Sequence, residues 1–319
     1  MPIKRLIVSI FSVGMMVLGA DGASGQDYPN KPIRILTAEA GGNGDLHARV
    51  TAQGLSSSLG SVIVDNRSTT VIAAETVAKA TPDGYTLLVT GSAFWVGTLL
   101  QKMSYDPVND FSPISLLSIS PLVLVVHPSL PVNSVKDLIA LAKSKPGELN
   151  YASNAIGAPS HLAAELFKSM AAVNIVRINY KGGSAAPNAL LGGEVQMMFG
   201  SPAAVAPHVR SGRLKALAVT SAQPSALVPD LPTMAASGLP GYVSQVTTGV
   251  FVPARTPEAI IKRLNQETVR FLNISEAKER LLKSGVEAAS SSPEQFAAII
   301  KAELISLGKL IKDAGIKLE

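Results

Sequence analysis

Short β-branched runs alternate along this chain with longer stretches in which apolar residues recur every three or four positions. The runs at 33–37, 62–65, 86–90, 122–126, 175–179, 195–199, 214–220 and 249–252 predict strands. The stretches 45–59, 72–80, 134–144, 160–171, 184–192, 202–211, 257–272, 276–284 and 293–313 predict helices. Such alternation predicts an α/β fold of parallel sheets with helices on both faces. Asp45 before Leu46, Ser134 before Val135 and Ser292 before Pro293 are helix-start residues, and Gly60, Gly147 and Gly285 stand where helices should stop. In the last helix Phe296, Ile299, Ile300, Leu304, Leu307 and Ile311 share one face, as in a helix lying on a sheet.

The pattern differs at the start of the chain. Lys4 and Arg5 precede an apolar run ending near Leu18, and small residues Ala23-Ser24-Gly25 follow. This is the layout of a secretory signal peptide, residues 1–25, cut before Gln26. The apolar run falls short of the ~20 residues of a membrane span. The absence of cysteine excludes disulfides, thiolate metal ligands and a lipid-modified N-terminal cysteine. An exported, unlipidated chain is expected in a periplasm. What remains after cleavage is long enough for two α/β domains. Turn-rich segments place the boundaries so that 26–121 and 247–319 form one lobe and 122–246 the other, with a binding cleft between them. A net charge of +5 suits an anionic ligand, and no run of Lys and Arg interleaved with aromatics points to nucleic acid.

Candidate chemistry gathers where strands give way to helices. At the first junction, Glu39-Ala40-Gly41-Gly42-Asn43-Gly44-Asp45, glycines let the backbone approach a ligand and a helix start offers bare N–H groups, a setting that favours phosphate or carboxylate. Asp45 reads as the helix cap that ties the loop. At the second junction Ser153, Asn154, Gly157, Ala158, Pro159, Ser160 and His161 bring neutral donors to another helix start. Two such ends, one per lobe, could grip a dicarboxylate. A third region holds Ser92, Phe94 and the single tryptophan, Trp95, either a ligand-facing wall or core packing. A fourth, Gly182-Gly183, again ends a strand and starts a helix.

Catalytic patterns are missing. Gly41-Gly42-Asn43-Gly44 fails the dinucleotide fingerprint because position 47 is histidine, and no Walker loop, H-E-x-x-H or G-x-S-x-G occurs. His47, His127, His161 and His208 lack metal-ligand spacing. No catalytic set, metal or cofactor is therefore expected. Two other readings stay open: an exported hydrolase or isomerase using Glu39, Asp45 or His161, and a ligand-sensing receptor for a signalling partner.

Ordered blocks across the chain carry a family resemblance. They include Pro82-Asp83-Gly84-Tyr85-Thr86-Leu87, Tyr105-Asp106-Pro107-Val108-Asn109-Asp110-Phe111, Leu149-Asn150-Tyr151-Ala152-Ser153, Tyr180-Lys181-Gly182-Gly183 and Gly212-Arg213-Leu214-Lys215-Ala216-Leu217-Ala218-Val219-Thr220. With these the chain resembles substrate-binding proteins of the tripartite tricarboxylate transporter system, also called Bordetella uptake gene (Bug) receptors. The resemblance implies a type 2 periplasmic-binding-protein fold: two α/β lobes closing on a small organic carboxylate. It implies delivery, by a receptor expected to be a monomer, to a permease of one large and one small integral membrane subunit. It also assigns one carboxylate to the loop at Ala40, Gly41 and Gly42, and the rest of the ligand to Ser153, Asn154, Gly157, Ala158 and Ser160. Many members carry an aspartate for an ammonium group where this chain has Gly200, which points away from amino-acid ligands.

Overall fold

The computed structural model describes residues 28–180 and 185–317; the signal segment, Gly182 and Gly183 lie outside them. The strands sort into two sheets. The first runs β11 (Glu287–Ala288), β4 (Phe111–Pro121), β10 (Gln245–Pro253), β3 (Thr86–Gly91), β1 (Ile33–Thr37), β2 (Val62–Asn66). The second runs β7 (Val176–Asn179), β6 (Asn150–Ser153), β8 (Met197–Gly200), β5 (Val123–Val126), β9 (Lys215–Val219).

Alternation along each strand splits the core into layers. In the first sheet Ile33, Ile35, Leu87 and Val89 pack under α1 (Asn43–Leu59) and α8 (Glu258–Leu272), whereas Leu36 and Leu88 face α2 (Thr70–Ala78), α3 (Ala93–Leu100) and α10 (Pro293–Asp313). The second sheet does the same: Leu124, Val126 and Phe199 meet α4 (Val135–Ser144) and α5 (Pro159–Ala171), while Val123, Val125 and Met198 meet α6 (Ala185–Leu191) and α7 (Pro202–Arg210). Strands apolar on both faces are what a sheet covered on both sides requires. Ser134 caps α4 through Asp137 N, and Ser292 with Gln295 forms a capping box on α10.

One expectation is corrected, and two elements stand where the pattern predicts none. The sheets are mixed rather than parallel, because β10 runs antiparallel to β3 and β4, and β5 antiparallel to β8 and β9. The long strand β4 was hidden by its prolines and serines; Pro113, which has no N–H for a ladder, sits beside a register shift in β10 at Val250/Phe251. Helix α3 stands where the pattern predicts no element.

These antiparallel strands position the site. Pro121, the end of β4, pairs with Gln245 beyond the Gly91 end of β3, and Val123, the start of β5, pairs with Gly200, the end of β8. Strand β9 ends at Val219, beside Val123. Both crossings between sheets therefore join the edges where the parallel strands finish and where α1, α3, α5 and α7 begin.

Candidate functional site

The two junctions are built alike. In the first, α1 starts at Asn43 with Gly42 as its cap residue and no side-chain cap bond, so Asp45 is the third residue of the helix and not its cap. Its buried carboxylate reaches back to accept from Gly41 N at 2.9 Å, from Asn66 Nδ2 at 3.0 Å and from Arg49 Nε at 3.0 Å. The Arg49 bond, helped by Gly41 and Asn66, holds the Asp45 carboxyl down at about 2 against the opposing effect of burial. A side chain at Gly44 would stand 2.6 Å from the buried Thr37 hydroxyl, which explains the glycine there. His47 pins the same turn to β4: Nδ1–H donates to Asn43 O at 2.7 Å and Nε2 accepts from Ser118 Oγ at 2.6 Å. Burial lowers its pKa. Glu39, Ala40, Gly41, Gly42 and Asn43 remain exposed above this scaffold.

In the second junction α5 starts at Pro159 after Ala158, and His161 is again the third residue. Its Nδ1 accepts from Gly157 N at 3.0 Å, so the ring proton sits on Nε2. Burial, with the Arg177 charge adding, depresses the His161 pKa to about 4. His161 is thus a strut of the loop through Nδ1. Ser153 is fully buried; its hydroxyl accepts from Arg177 Nε at 2.8 Å and donates to Asn154 O at 3.2 Å, so the expected ligand-facing donor is spent inside the lobe. Arg177 Nη2 donates to Asn154 O at 2.8 Å, and Asn154 N donates to Ser160 Oγ at 3.3 Å. Asn154, Ala158 and Ser160 are half-buried and Pro159 is exposed.

The third region is corrected as well. Phe94 and Trp95 have no exposed surface; they pack with Tyr105, Phe111, Phe251 and Phe296 in an aromatic cluster beneath α10. Gly200 is not open to a ligand either, since a side chain there would meet Val205 Cγ1 at 2.4 Å. Ser92 N–H donates to Thr247 O at 2.8 Å, and Ser92 lines a cleft of about 360 Å³.

That cleft lies between the two sheets' helices. Ser92, Ala93 and Val96 come from the first; Gly157, Pro159 and Leu162 from the second; Val243, Ser244 and Gln245 from the crossing; Ile299, Glu303 and Leu307 from α10. Its volume falls in the range of small-molecule sites, about 300–1,000 Å³. The first glycine loop, Glu39 to Asp45, is not part of its lining. Across it, Gly157 turns with φ +76° so closely that a side chain would stand 2.2 Å from Leu100 Cδ1 of the opposite lobe. Among the described residues lining the cleft no cation occurs, and Glu303 is the one charged type. Glu303 was missed by sequence reading. Its signal was available: it lies seven residues after Phe296 and three after Ile300, on the apolar face of α10. Arg49, Arg177 and Leu100 had no comparable local signal.

Two sheets joined by two crossings, with helix starts of both turned to one gap, define a two-lobed solute-binding protein. The family model described as "Tripartite tricarboxylate transporter family receptor" matches residues 47–316, and the chain belongs to that family. Protein BugT of Bordetella pertussis is 36% identical over 303 residues, covering 93% of each chain. Among solved structures, R. palustris Rpa4515 with adipate is 35% identical with a TM-score of 0.72, covering 91% of this chain and 99% of that one. MatC of Rhodopseudomonas palustris with bound malate is 27% identical with a TM-score of 0.67, covering 89% and 100%.

Proposed function

We propose that this chain is a periplasmic receptor that captures a small organic carboxylate between its lobes and presents it, as a monomer, to a membrane permease of one large and one small subunit. The lobes are 26–121 with 247–319 and 122–246, swinging about the two crossings, and the segment 1–25 directs export. The observation that carries this reading is the cleft between the two sheets, lined by the helix-start residues Ser92 and Ala93 on one side and Gly157 and Pro159 on the other. Relatives with bound adipate and malate support the carboxylate. No helix among the described residues is long and apolar enough to cross a membrane, in keeping with a receptor that works beside its permease.

The acid–base candidates support binding without turnover. Asp45 stays ionised and His161 stays neutral at ordinary pH, and each is locked to a loop amide. One helix terminus contributes about 0.3–2 kcal/mol to holding an anion. Micromolar affinity needs about 8 kcal/mol, so hydrogen bonds and apolar contact from both lobes must act together. Native mass spectrometry of the protein as purified, followed by calorimetry with a carboxylate panel, tests this. Recovery of one unchanged acid in 1:1 complex is the expected result; absence of binding to every acid, or chemical conversion of the ligand, overturns it.

A further inference from the structure

Glu303 occupies an unusual place for a carboxyl group. It projects from α10 into the cleft between lobes, and its Oε2 accepts from the buried Trp95 Nε1–H at 2.7 Å. Oε1 has no hydrogen-bond partner among the described residues and is not sealed in, so it is left to the cleft. The walls around it are mostly apolar, with Val96 from α3, Leu162 from α5, and Ile299 and Leu307 from α10, and the other polar residues of the lining are uncharged. Charges on the neighbouring elements are few. Helix α3 and the 243–245 segment contribute none. On α5, Glu165 Oε1 is taken by Tyr151 at 2.6 Å and Lys168 at 2.8 Å, and His161 by Gly157 N; Arg177 of β7 is bonded to Ser153 and Asn154. Lys301, on α10 itself, is exposed. Burial accordingly pushes the Glu303 carboxyl up to about 7, with the Trp95 N–H opposing. A ligand carboxylate entering such a cation-free space meets either a like charge or a proton to share.

Resting on the receptor reading above, we propose that Glu303 is the specificity-determining group of this cleft. As the neutral acid it donates its Oε1–H to a carboxylate of the bound ligand, whose apolar body lies against Val96, Leu162, Ile299 and Leu307. Capture then takes up one proton from solvent onto Oε1, no covalent bond being made or broken. The arrangement selects acids with an apolar body over compact polyanions, because the one ionisable partner among the described lining residues carries a single proton.

Calorimetry of the purified protein with adipate, malate and benzoate, from about pH 5.5 to about pH 8.5, tests the proposal. The best-bound acid should lose about tenfold in affinity for each pH unit above neutrality, with uptake of one proton. Glu303→Gln keeps an acceptor for Trp95 and offers an N–H to the cleft, so its affinity should be flat with pH. Glu303→Leu should bind at least about tenfold more weakly at the acidic end. Trp95 is the single tryptophan, so its emission in the unliganded wild type should titrate near neutrality and be flat in Glu303→Gln. Affinity that is flat with pH in the wild type, or that rises with pH, overturns the role of Glu303 while leaving the receptor intact. No binding of any acid at any pH sinks the receptor reading and this proposal with it. Should the variants fail to fold, the wild-type pH profile and Trp95 emission decide alone.

Discussion

The loops that open α1 and α5 solve one problem with different chemistry. In each, a glycine with positive φ, Gly41 at +81° or Gly157 at +76°, donates its N–H to the side chain four residues on, the third residue of the following helix. The first lobe uses the carboxylate of Asp45, neutralised by Arg49; the second uses the neutral imidazole of His161. An anion already placed in the first turn of α1 offsets the positive end of that helix. Helix α5 carries no such charge in its first turn. The second lobe therefore offers an arriving carboxylate the less compensated helix end, and the first lobe offers the more exposed loop.

Breaking the two struts should show the difference. The largest effect is expected for Asp45→Ala, which strands Gly41 N–H and Asn66 Nδ2 and should cost about 2–3 kcal/mol in urea denaturation. His161→Ala strands one donor and should cost about 1–2 kcal/mol, with faster hydrogen exchange at Gly157 as its local mark. If His161→Ala proves the more damaging, the charged strut is not the stronger one and the comparison fails.

The glycines sharpen it from the other side. Alanine at either position adopts a left-handed backbone at about 1–2 kcal/mol. Nothing lies within 4 Å of a side chain at Gly41, whereas Leu100 of the opposite lobe is in the way at Gly157. Gly157→Ala should therefore weaken ligand binding beyond its loss of melting temperature, and Gly41→Ala should not; equal effects on binding would show that the lobes do not meet at Leu100.

The smallest effect is in pH dependence, and its sign separates the loops. His161 binds its proton less readily folded than unfolded, so its contribution is complete above about 6.5 and is lost as pH falls toward about 4. Asp45 behaves as a depressed acid, complete above its ordinary value of 3.8 and lost only as pH falls through about 2. Acid unfolding of the wild type should begin in the window that His161 shares with the buried His47, and His161→Gln should remove part of that first loss. Onset only below about pH 4 in the wild type would contradict the buried neutral histidine.

Much of the fold was legible because its signals are local. The helix from Pro293 to Asp313 was read to the residue from a cap, a proline and one apolar face. Strand β1 was read from Ile33, Ile35, Leu36 and Thr37, all buried. Strand β4 escaped because prolines and serines at 112–121 conceal a strand whose pairing with β10 is more than a hundred residues away. At the site, the glycine loops and helix starts were legible, but the direction in which side chains point was not. Ser153, Phe94, Trp95 and Gly200 stand in sequence beside the gap and turn inward, taken up by Arg177, the aromatic cluster and Val205.

By itself the sequence determined the alternation of strands and helices, the placing of bare amides at glycine-rich helix starts and the family to which the chain belongs, since each depends on residues close together or on an ordered set of short blocks. Only the tertiary structure decided which of those residues see the gap, and that α10 returns from the far end of the chain to put Glu303 in it. The physical reason is that a side chain's facing and a carboxyl group's proton are set by neighbours brought together in space. Trp95 and Glu303, 208 residues apart, meet at 2.7 Å.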